Sequence, residues 1–95
     1  MTTVMLLKTC FACPEQYDVL LGEQVVGYLR LRHGHFRAHA DGPGGTLVYE
    51  ANTVGDGLFE DDERGTHLTA AVVALGQHHE WPEPVGFTVE DEHGL

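Results

Sequence analysis

Gln24-Val-Val-Gly-Tyr-Leu-Arg-Leu-Arg-His-Gly-His-Phe-Arg-Ala-His-Ala40 is the stretch on which the fold turns. Apolar and polar residues alternate along it with the period of a half-buried strand. His33-Gly34 interrupts the pattern. A two-residue loop with glycine second suits a tight hairpin, although His is a poorer first residue than Asn or Asp. A turn there sets Arg32 opposite His35, Arg30 opposite Arg37 and Tyr28 opposite His39. Val25, Leu29 and Leu31 then share one face with Phe36, Ala38 and Ala40, which makes a core surface. Val26, Tyr28, Arg30 and Arg32 point the other way.

Working outward, the segment before this hairpin supplies two more strands. Thr3 to Thr9 is β-branched and apolar, and Cys10-Phe-Ala-Cys-Pro14 breaks it, because Pro14 lacks a ladder donor and holds Cys13 extended. Tyr17 to Leu21 follows, with Gly22-Glu23 as the turn into Gln24. An unbroken ladder from that turn would set Tyr17 against Tyr28 and Glu15 against Arg30, all on the outer face. After Ala40, Asp41-Gly-Pro-Gly-Gly45 is a clear turn into a strand from Thr46 to Ala51.

Beyond Asn52 to Arg64, an acidic and glycine-bearing connection, Leu68, Ala71, Val72 and Leu75 recur at helical spacing. The acids Glu60-Asp-Asp-Glu63 suit the positive end of a helix dipole. The helix begins either at a Thr66 cap or near Asp61, with Gly65 inside at a cost of about 1 kcal/mol. His78 and His79 fall in its last turn, and Pro82 and Pro84 stop it. Val85, Phe87 and Val89 alternate as a short final strand before a polar tail from about residue 90. The expected fold is α+β: a mainly antiparallel four- to five-stranded meander with one amphipathic helix on one face, in a single domain spanning 1–95. The helical stripe should meet Leu29, Leu31, Phe36 and the strand from Thr46, leaving the arginine–histidine face open.

Composition narrows the function. Apolar residues make up 42% of the 95-residue chain, which supports a folded globule. The formal charge is −10, from 15 acids against 5 bases. That sign disfavours simple adhesion to nucleic acid or to an anionic membrane. Yet Gln24 to Ala40 holds no acid and three of the five bases. Arg30 directly opposite Arg37 is destabilising by a few tenths to ~1 kcal/mol unless an anion lies nearby. The outer face therefore reads as a docking surface with Tyr17, Tyr28, Arg30, Arg32, His35, Arg37 and His39, favouring a protein partner over nucleic acid. The bland alternative is a solvated face whose arginines pair with Glu15 and loop acids. If Val19, Val26 and Tyr28 are exposed there, the same face also suits a homodimer.

Cys10-Phe-Ala-Cys13 has the spacing that lets two thiolates reach one tetrahedral ion, so a zinc-stabilised domain is the alternative reading. Its further ligands would be His33 and His35, with His35 and His39 or His78 and His79 as the other pairs that could supply them. Two unmetallated thiols need less, because free cysteine packs as a small hydrophobe. A redox pair would want a helix after the first cysteine rather than Pro14 and a strand. A third reading, an enzyme acting on a phosphate ester with histidine acid/base chemistry, has no accompanying nuclease, phosphatase or hydrolase signature, no phosphate loop and no nucleophile elbow. Binding is favoured over catalysis, with no catalytic residue assigned. No apolar run reaches the ~20 residues of a membrane span, and the start has no basic region before its apolar stretch, so a cytoplasmic location is expected. The alanine-, glycine- and histidine-rich, acidic composition resembles that of small proteins of GC-rich bacteria and their phages, and no motif carries the likeness further.

Overall fold

Six strands and one helix follow in the order β1 (Thr2–Cys10), β2 (Glu15–Leu21), β3 (Gln24–Arg32), β4 (His35–Ala40), β5 (Leu47–Asn52), α1 (Asp61–His79) and β6 (Val85–Asp91). The computed structural model describes residues 1–10, 15–54 and 59–91, with Cys10 described in its backbone. The strands form one sheet ordered β5-β4-β3-β2-β1-β6. From β1 to β5 it is the expected antiparallel meander. The expectation of four or five strands falls short at its far edge, where β6 pairs parallel to β1 and makes the sheet mixed. Helix α1 carries the chain from one edge strand to the other. Local alternation marks β6 as a strand but does not specify which edge receives it. The expected tail also starts too early, because Glu90 and Asp91 pair with Leu7 and Lys8.

The core lies between α1 and one sheet face. Val4, Leu6, Val19, Leu29, Leu31, Phe36 and Ala38 come from the sheet, and Leu68, Ala71, Val72 and Leu75 from the helix. The helical stripe thus packs where its period predicts. Gly27 lets it come close, since a Cβ at that position would lie 2.8 Å from Leu75 Cδ1. Such contact is tighter than close-packed interiors allow without movement.

The helix begins at Asp61, with Glu60 as its cap. The Glu63 carboxylate accepts the Glu60 N–H at 2.9 Å and the Val54 N–H at 2.8 Å. Those bonds hold the Glu63 carboxyl below its ordinary value, the Glu60 contact being the larger cause. Thr66 does not cap: its hydroxyl donates to Asp62 O from inside the helix. Glu80 closes the other end in the left-handed conformation, and Trp81 N–H bonds Gly76 O. Among the described residues no helix is long and apolar enough to cross a membrane.

Candidate functional site: a basic cleft on the open sheet face

The β3–β4 hairpin turns at His33 and Gly34, both with positive φ (52° and 77°), the signature of a two-residue loop whose twist matches its strands. Register follows from that turn. Arg32 pairs with His35, Arg30 with Arg37, and Tyr28 with His39. Period-two alternation places all six on the face away from α1, since Leu29, Leu31, Phe36 and Ala38 between them are buried under the helix.

These side chains enclose a cleft of about 440 Å³, lined by Tyr28, Arg30, Arg32, His33, His35, Arg37 and His39 and closed at one end by Pro43 and Gly44. Sequence reasoning missed the last two. The signal was the Asp41-to-Gly45 turn, which folds back because Ala40 N–H bonds Thr46 O and Gly45 N–H bonds Gly42 O. Gly45 tolerates no side chain there: a Cβ would sit 1.8 Å from Ala40 O.

Tyr17 is not part of this face. The Gly22-Glu23 turn forms as expected, pairing Leu21 with Gln24 and Leu20 with Val25, but the ladder then slips and Val19 pairs with Gly27. One extra residue on β3 is a β-bulge, and beyond it every β2 side chain faces opposite to an unbroken register. Tyr17 therefore pairs with Leu29, and Glu15 with Leu31, on the helix side. Gln16 and Asp18 take their places beside Arg30 and Tyr28. Val19 and Val26 are buried too, and Tyr28 is 9% exposed, so the apolar patch expected for a homodimer is not presented by these three.

The displaced pair changes the electrostatics of both faces. Glu15, 3% exposed, accepts from Arg64 Nε at 2.9 Å and Nη2 at 2.7 Å through one oxygen, and from the Tyr17 hydroxyl at 2.8 Å through the other. Burial, then the Glu15 hydrogen bond, push the Tyr17 hydroxyl well above its ordinary value, and the same carboxylate raises Arg64. Arg30 thus loses its expected partner. Among the described residues Arg30, Arg32 and Arg37 form no ion pair. Glu50, directly opposite Arg37, instead bonds His35 Nε2 at 2.7 Å. Arg30 Nε and His39 Nδ1 are shielded from solvent and have no hydrogen-bond partner.

The proposed zinc ligands divide. Cys13 lies outside the described residues and Cys10 ends β1, whereas His33 follows β3, two strands away, and His35 opens β4, three strands away. No group of three or more His, Cys, Asp or Glu poised for one ion occurs among the described residues. No family model, curated protein or solved structure matches the chain.

Proposed function

We propose that this chain is a non-enzymatic binding protein that captures a compact anionic ligand in the cleft of Tyr28, Arg30, Arg32, His35, Arg37 and His39. The observation that carries this reading is three arginines converging on one cleft, none of them in an ion pair among the described residues, in a chain with three acids for every base. The bland alternative called on Glu15 and loop acids as counter-charge, and Glu15 is bonded to Arg64 on the other face. Nucleic acid and extended acidic segments fit less well. Beyond the cleft they would meet a surface whose further bases are Lys8 and Arg64 alone. A cleft of this volume is in the range of small-molecule sites, roughly 300–1,000 Å³.

The test is an NMR titration of the ¹⁵N-labelled chain with phosphate, sulfate and citrate. Amide shifts confined to residues 28–44 and lost in Arg30→Ala/Arg37→Ala are expected. Shifts spread evenly over the surface, or unchanged in the double variant, would remove the reading. The His35–Glu50 pair favours one further reading, hydrolysis of a phosphate ester with His35 as the base, because a carboxylate-oriented imidazole beside arginines is general-base geometry. Turnover of p-nitrophenyl phosphate lost in His35→Ala with the fold intact would establish it; absence of turnover excludes that substrate.

A further inference from the structure

We propose that the group bound between Arg30 and Arg37 is a phosphate monoester, carried by a small organic molecule; this rests on the anion-binding reading above. Three features of the cleft select it. The first is the number of donors. Arg30 and Arg37 are direct partners in the ladder and emerge side by side on one face. One guanidinium fork satisfies both oxygens of a carboxylate, whereas the three terminal oxygens of a phosphate monoester serve two forks at once.

The second feature is direction. Arg30 Nε and the His39 ring nitrogen Nδ1 are, among the described residues, the shielded side-chain atoms without a partner. Their residues are diagonal neighbours across the β3–β4 ladder, within reach of each other for long side chains. A tetrahedral anion presents oxygens in more than one plane, so with a small outward shift of these side chains one oxygen can accept from Arg30 Nε and another from His39 when Nδ1 carries the proton.

The third is charge. Three permanent cations face a ligand group of about −1.5 to −2 at neutral pH, which a carboxylate at −1 matches less well. Asp18 and Glu50 stand at the flanks on β2 and β5, and Glu50 is bonded to His35. At the rim the aromatic ring of Tyr28 and the apolar Pro43 leave room for the organic remainder of the molecule.

The experiment titrates the full chain with phenyl phosphate, phenyl sulfate and benzoate at matched ionic strength. Phenyl sulfate keeps the tetrahedral shape with a single charge, and benzoate keeps the ring with a planar anion. Phenyl phosphate should bind about tenfold or more tightly than either, consistent with the stronger charge-assisted bonding of a dianion. Arg37→Ala, at an exposed position, should lower its affinity by about tenfold, and Arg37→Lys should fail to restore it because the fork is lost. Equal binding of benzoate or phenyl sulfate, abolished in Arg37→Ala, would overturn the phosphate assignment and leave the anion-binding reading standing. No binding by any of the three, in a chain whose amide spectrum shows it folded, would overturn both.

Discussion

The two faces of this sheet handle charge in opposite ways. Under the helix a buried carboxylate has every oxygen engaged: Glu15 holds Arg64 and the Tyr17 hydroxyl, and Arg64 also reaches Asp61 at 3.0 Å. On the open face, among the described residues, three arginines stand without an ion pair and two shielded nitrogens without a hydrogen bond. A buried charge without a partner costs several kcal/mol, so the inner face must be complete for the chain to fold. The open face bears no such demand, because its charges keep part of their hydration. Pairing is therefore a condition of stability on one face and not on the other.

Breaking the inner network should have the largest effect. Arg64→Ala strands Glu15, and a loss of about 2–4 kcal/mol is expected in urea denaturation, less than for a fully buried pair because Arg64 is partly solvated. If stability is unchanged, the inner face does not depend on pairing and the contrast fails. Gly27→Ala probes packing on the same face without touching charge. Its methyl meets Leu75 and should cost about 1–3 kcal/mol by overpacking.

A pH titration sharpens the comparison at smaller amplitude. The Tyr17 proton is held more tightly in the folded chain than in the unfolded one, first by burial and then by Glu15. Its contribution is fully present below the ordinary tyrosine value of 10.0 and is lost as pH rises through the higher folded value. Between wild type and Tyr17→Phe, the tyrosinate absorbance attributable to Tyr17 should emerge only with alkaline unfolding; emergence near pH 10 in the folded chain would contradict the closed network. The smallest effect belongs to the open face. Arg37→Ala removes a like-charge contact with Arg30 and should change stability by only a few tenths of a kcal/mol, toward stabilisation. A large loss would mean that this face also supports the fold.

Much of this architecture is legible in the chain because its signals are local. The His33-Gly34 turn and strict alternation around it suffice to place Tyr28, Arg30, Arg32, His35, Arg37 and His39 on one face. Leu68, Ala71, Val72 and Leu75 name the buried side of the helix by period alone. What was not legible depends on partners distant in sequence. Nothing in Val85 to Asp91 says that its neighbour is β1 rather than β5, because alternation describes a strand's faces and not its edges. Tyr17 and Glu15 were misplaced because a bulge leaves no obligatory residue type: Val25-Val-Gly27 reads equally well with or without the slip. Pro43 and Gly44 were visible as a turn, and only folding shows that the turn borders the arginines.

The slip between Leu20 and Val19 has a consequence for which charges face the cleft. It works as a phase shifter: one additional residue on β3 inverts the parity of β2 relative to the hairpin beside it. Were the same residues paired without the bulge, Val19 would meet Val26 and Glu15 would turn to the outer face opposite Arg30, with Tyr17 beside Tyr28. The chain would then carry its own counter-anion in the place proposed for a ligand, and Arg64 would lose its carboxylate. A single step of register thus separates an unneutralised arginine face from a self-neutralised one.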